Sequence, residues 1–148
     1  MNGWVLQAVL VAQLVGSTGM FGVIWVIQLV HYPLMKMVPP EAFGAFEAEH
    51  QRRITHVVGP LMALEGLSVL AVFFFRPSCL SFAIVLVGGL IEAVAIGTTA
   101  FVSAPMHGRM AASGSPQLLD RLIATNWIRT AAWTIRAALA ITMFAICR

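Results

Sequence analysis

Four long runs of apolar residues alternate with short polar stretches along this chain, over roughly positions 8–32, 54–75, 80–104 and 125–146. Each is longer than the about 20 residues a helix needs to cross the hydrocarbon core of a bilayer. A buried helix of a water-soluble protein can reach the same length. Four of them within 148 residues, however, leave nothing but lipid to surround them. The pattern predicts an all-α fold: a four-transmembrane-helix up-down bundle, one integral membrane domain over residues 1–148.

The connections refine this picture. The first contains HYPLMKMVPPEAFGAFEAEHQRR. Proline lacks an N–H and clashes with the preceding turn, so Pro33 and Pro39 are expected to break the first helix and Pro40 to open the next. From Glu41 onward, Phe43, Phe46, His50 and Arg53 recur at helical spacing. That spacing predicts a short amphipathic interfacial helix that runs into the second span. The second connection, RPSCLS, is short. The third, SAPMHGRMAASGSPQLLDR, holds a Gly/Ser/Pro turn. There Ser115 is the expected N-cap and Pro116 the first residue of the last helix.

Composition makes the membrane reading firm. The chain is 59% hydrophobic and 10% charged, with mean hydropathy +0.88, whereas soluble domains carry about 25% charged residues. The net charge of +3 comes from dispersed arginines with no basic run, which argues against a nucleic-acid partner. No Lys or Arg precedes the first apolar run and no A-x-A-like cleavage site follows it, so it does not read as a removed signal peptide. Cys79 and Cys147 are the cysteines. With no C-x-x-C, thiolate zinc and thioredoxin chemistry are unsupported. Both cysteines fall at one end of the bundle, where a disulfide and two free buried thiols both stay open.

Charge also sets a direction. Lys36, Arg52, Arg53, Arg109 and Arg121 flank the first and third connections, while Arg76 and Arg148 lie at the other end. By the positive-inside rule the first and third connections are expected in the cytoplasm, with both termini outside.

Three charges lie deep within spans. Arg136 is eleven residues into the last span, Glu65 eleven into the second and Glu92 twelve into the third. At 1.5 Å per residue, all three stand about 17 Å deep in a slab about 30 Å thick. A lone charge there costs at least ~2.5–3.5 kcal/mol, so the three are expected to meet inside the bundle. Two carboxyls against one guanidinium leave one carboxyl expected to hold a proton. The cluster could serve only to fix helix register, or it could carry protons or anchor a substrate pocket. On the last helix Asn126, Arg129, Trp133 and Arg136 form one stripe. Glu92, Thr99 and Ser103 form another on the third, and His50, Leu61 and Glu65 lie near one another on the second.

His31, His50, His56 and His107 all fall at the end of the bundle predicted to be cytoplasmic. Glu47 and His50 stand at i, i+3, a spacing that can offer a carboxylate and an imidazole to a metal, with His107 arriving from another helix. Glu47, His50 and His107 are therefore the candidate metal ligands, with iron, copper or haem as the candidate cofactors. His56 points away from His50 on the helical wheel. A di-iron bundle needs more carboxylates than this chain supplies. Trp4, Trp25, Trp127 and Trp133 suit belt and packing positions, and the methionines suit core filling.

Several stretches taken together carry a resemblance: HYPLM, FEAEHQRRITHVVGPLMALEG, SAPMHGRM and RLIATNWIRTAAWTIRA. Residues Trp25 to Arg136 resemble a group of small bacterial four-helix membrane proteins near the anthrone-oxygenase-like membrane family. The matching positions include Tyr32, Pro33, His50, Arg53, Pro60, Glu65, Pro105, His107, Asn126, Arg129, Trp133 and Arg136. Relatives often carry a second His where this chain has Glu47 and do not regularly carry His at 31, and Glu92 has no assigned place in the family pattern. Proteins similar to the anthrone oxygenases oxidise aromatic polyketides without a conventional cofactor.

The resulting expectation is a small redox or oxygenase-type enzyme acting on a hydrophobic molecule in an intra-bundle pocket. His50, His107, Glu65 and Arg136 are its expected catalytic residues. Asn126, Arg129, Trp133 and Tyr32 are its expected substrate contacts, with Glu65 and Arg136 as a polar floor. The alternative is a non-catalytic membrane subunit, a homo-oligomer or part of a larger complex, whose Glu/Arg cluster only fixes helix packing.

Overall fold

The computed structural model describes residues 3–148 as four helices. They are α1 (Gly3–Met35), α2 (Pro40–Phe74), α3 (Phe82–Ser113) and α4 (Pro116–Cys147), each long and apolar enough to cross a membrane. Each packs against its neighbour in sequence, and α4 packs against α1, which closes an up-down ring. No strand occurs among the described residues. Large apolar side chains such as Leu29, Phe74, Phe101 and Ile128 point outward, as expected of a surface that meets lipid rather than water.

The helices run past the apolar runs that announce them. At 1.5 Å per residue, the 35 residues of α2 make a rod about 52 Å long, far more than the hydrocarbon thickness. The segment expected as a short amphipathic helix is the opening of α2 itself, continuous with the span. Its Phe43 and Glu47 are fully buried, because it packs on the similarly extended end of α3. The bundle therefore projects at its histidine end.

Pro33 does not end α1, as its chemistry led us to expect. The helix widens into a π turn over Ile27–His31 and continues to Met35. The same device appears in α3, where a π turn over Thr99–Ser103 precedes Pro105. A π turn accommodates the carbonyl that a helical proline would otherwise strike, and such turns gather at functional sites. Here both present polar residues to the same interior: Tyr32 follows the first, and Ser103 closes the second.

The termini follow their local chemistry. Ser81 caps α3 by accepting a bond from the Ile84 amide at 3.4 Å. Gly114 ends α3 in the left-handed region at φ 63°, and Ser115 and Pro116 open α4. The Ser115 hydroxyl makes no capping bond; instead its amide donates to the Ser113 hydroxyl at 3.3 Å. At the opposite end Cys79 and Cys147 form a disulfide with a Cα–Cα distance of 5.5 Å, which decides between the two readings left open by the sequence. The bond ties the α2–α3 turn to the end of α4.

The apolar core falls into three layers between the polar groups. Tyr32, Met35, Phe43 and Leu122 fill the histidine end. Met20, Ile24, Ala95 and Trp133 fill the middle, and Leu10, Val72, Leu80 and Met143 fill the disulfide end.

Candidate functional site

The interior holds two polar clusters. The deeper one is the predicted meeting of Glu65, Glu92 and Arg136. Glu65 Oε1 accepts from Arg136 Nε at 2.9 Å and from the Arg136 Nη2 side of the fork, and also from the Ser17 hydroxyl at 2.6 Å. Glu92 Oε2 lies 3.7 Å from Arg136 Nε and makes no hydrogen bond. Glu65 and Arg136 are 0% exposed. Glycines allow this contact. A Cβ on Gly16 would stand 2.9 Å from the Glu65 Cβ and 3.0 Å from its amide nitrogen, so α1 lies directly on α2 there. A Cβ on Gly88 would stand 2.7 Å from Arg136 Nη1.

The second cluster sits at the histidine end, around a cavity of about 150 Å³. Tyr32, His50, Thr99, Ser103, His107 and Arg129 supply its polar wall, and Ile27, Ile54 and Val58 its apolar one. Glu47 Oε1 and His107 Nδ1 are 2.5 Å apart, while the Tyr32 hydroxyl lies 3.3 Å from His107 Nε2. Carboxylate, imidazole and phenol thus stand in line. Gln51 holds the backbone of this turn by donating to the His107 carbonyl at 3.2 Å. His50 stacks on His31 with ring centroids 4.3 Å apart and lies 5.3 Å from His107 by the same measure.

Arg129 borders this cavity at 5% exposure. Its Nη1 donates to Asn126 Oδ1 at 2.9 Å, and the Asn126 amide donates in turn to Gln28 Oε1 at 2.8 Å. No ion pair joins Arg129 to a carboxylate among the described residues.

The expected site residues therefore divide. Tyr32, Glu47, His50, His107, Asn126 and Arg129 come together. Glu65 and Arg136 form their own centre deeper in the bundle and do not line the cavity. Its polar floor is Arg129, two helical turns nearer the histidine end. Trp133 is fully buried among Met20, Ile24 and Ala132 and does not reach the cavity. His56 is exposed on the outside of α2.

The proposed metal ligands approach one another without forming a metal-holding set. No group of three or more His, Cys, Asp or Glu side chains among the described residues could hold a metal ion. The chemistry explains this: both ring nitrogens of His107 and one oxygen of Glu47 are already engaged by protein groups. As they stand, His107 and Glu47 Oε1 are committed to each other and to Tyr32, whereas a metal ligand needs a lone pair free for the ion.

Some contributors carried little signal in the sequence. Ser17 completes the Glu65 shell, and Gln28 orients Asn126. Each is a polar residue within an apolar run with no charge to mark its depth. The i, i+4 pair Gln13 and Ser17, adjoining Gly16, was the available clue. Comparison with known proteins adds no relatives: no family model, no curated protein and no solved structure matches this chain.

Proposed function

We propose that this chain is a multi-pass protein of the bacterial inner membrane that takes a hydrophobic small molecule into the histidine-end cavity. There it acts as a small redox or oxygenase-type enzyme. The observation that carries the reading is the line from Glu47 through His107 to Tyr32, the last two of which line the cavity. A carboxylate beside one ring nitrogen fixes the tautomer of an imidazole and stabilises its protonated form. The other nitrogen then exchanges a proton with the phenol or with a molecule bound beside it. His50 lies at the same wall and Arg129 at its floor.

Size limits the molecule. A cavity of about 150 Å³ accommodates a single aromatic ring, so one ring enters while any remainder stays at the mouth. The resemblance to anthrone-oxygenase-like membrane proteins points in the same direction, since those enzymes oxidise aromatic polyketides. Orientation follows from charge and redox together. The disulfide lies at the end with fewer basic residues, and disulfides persist in oxidising compartments. Both considerations favour termini on the outer side.

A second reading, a non-catalytic subunit of a larger complex, is favoured by the midplane cluster. Glu65 and Arg136 point at each other rather than into the cavity, which is what a register-fixing pair does.

Detergent-purified full-length protein tests the first reading. Organic extraction and mass spectrometry should recover a bound small molecule with an apolar ring. Oxidation by dioxygen of anthrones, with and without a carboxylate substituent, to the anthraquinones should be surveyed; at least one should react faster than in buffer and fall to background in His107→Gln. No bound molecule and no turnover, together with a stoichiometric protein partner, would overturn it in favour of the subunit.

A further inference from the structure

The geometry points to a more specific ligand: an organic carboxylate borne on one apolar ring, held by Arg129 at the floor of the histidine-end cavity. This rests on the reading that the cavity takes a small molecule, and it adds the charge of that molecule.

The argument starts from two arginines of one helix. Arg136 is neutralised by Glu65 and approached by Glu92. Arg129 is buried to 5% exposure, and the groups it meets, the Asn126 amide and the Tyr32 phenol, carry no formal charge. Its Nε has no partner at all. Glu47, the buried carboxylate of this end, is held by His107 and not by Arg129. A guanidinium cannot shed its proton to escape burial. An uncompensated buried cation is costly, so such a group calls for an anion.

A second atom asks for the same ligand. Ser103 is 2% exposed, and its hydroxyl also lacks a partner. Both residues line the one cavity, although they come from different helices. With Nη1 turned to Asn126, the edge carrying Nε remains, and side-on use of that edge matches the two oxygens of a carboxylate. The Ser103 hydroxyl supplies a further donor. Opposite them Ile27, Ile54 and Val58 offer a dry surface for a ring.

Benzoate, benzamide and inorganic phosphate are the probes, applied to the full-length protein in detergent with thermal unfolding as the readout. Benzoate should raise the unfolding temperature in a saturable manner, while benzamide and phosphate should not. Arg129→Gln should weaken benzoate binding roughly tenfold or more, the loss of a charge-assisted hydrogen bond, and Arg129→Lys should keep part of it. Ser103→Leu, which fills the cavity and keeps the guanidinium, should abolish it. Gel filtration and circular dichroism of each variant establish that it is folded. Equal shifts from benzamide and benzoate, both lost in Ser103→Leu, would overturn the carboxylate and leave the cavity as a ligand site. A benzoate shift unchanged in Arg129→Gln would overturn it as well, as would a shift from phosphate alone. The extraction and turnover measurements given above judge the enzyme reading separately.

Discussion

Arg129 and Arg136 stand two helical turns apart on one face of α4, both buried, and only Arg136 meets a carboxylate. That difference divides the polar interior. The deeper arginine closes a knot of three helices around Glu65 and Ser17. The shallower one borders a cavity whose wall carries the imidazole of His107 and the phenol of Tyr32, with the Glu47 carboxylate behind the imidazole. The first joins helices, and the proposed chemistry belongs to the second.

The two midplane carboxyls should respond differently to replacement. Glu65 receives the fork of Arg136 and the Ser17 hydroxyl, whereas neither oxygen of Glu92 is hydrogen-bonded. Glu65→Gln leaves a buried guanidinium without its charge partner and should cost about 3–5 kcal/mol, as broken buried pairs do. Glu92→Gln should change stability by less than about 1 kcal/mol, because the amide replaces an unbonded group of the same shape. Thermal unfolding in detergent reads both.

Close helix approach gives a second contrast. Gly16→Ala places a methyl 3.0 Å from a backbone nitrogen of α2, so α1 must move away from Glu65. A loss of about 1–3 kcal/mol is expected from such overpacking. Gly22→Ala and Gly97→Ala meet nothing within 4 Å, and there a helix gains up to about 1 kcal/mol from alanine. Equal effects at Gly16 and Gly22 would contradict the packing described.

The disulfide should matter for both stability and address. It closes a 68-residue separation, and bonds of this kind contribute about 2–4 kcal/mol. Cys79→Ser should therefore unfold at a lower temperature than the parent, and reductant should erase the difference between them. A periplasmic reporter fused after Arg148 should be active and a cytoplasmic one silent; the opposite pattern would invert the orientation.

The sequence disclosed the fold through its apolar runs and the midplane cluster through cost alone, since Glu65, Glu92 and Arg136 had no tolerable place except against one another. The cavity was only half legible. Spacing reveals neighbours along one helix, so Glu47 suggested His50, its i+3 neighbour. The partner it engages is His107, from a different helix. The prolines misled for a physical reason. Pro33 read as a helix end, but a widened turn carries the helix past it; a like turn precedes Pro105, and both turns form part of the wall. The pocket floor was placed too deep, at Arg136, because a stripe of polar residues shows which face they share and not which members touch.

The division of labour on α4 is tested most directly by unfolding the ligand-free protein with each arginine replaced by methionine, which keeps the apolar stem and removes the charge. Arg136→Met should lose about 3–5 kcal/mol, because Glu65 is left buried and unpaired. Arg129→Met should be unchanged or more stable, because an unmatched buried cation is gone. A loss at Arg129 as large as that at Arg136 would mean that a charge partner already neutralises it within the chain, and the two-centre account would fail.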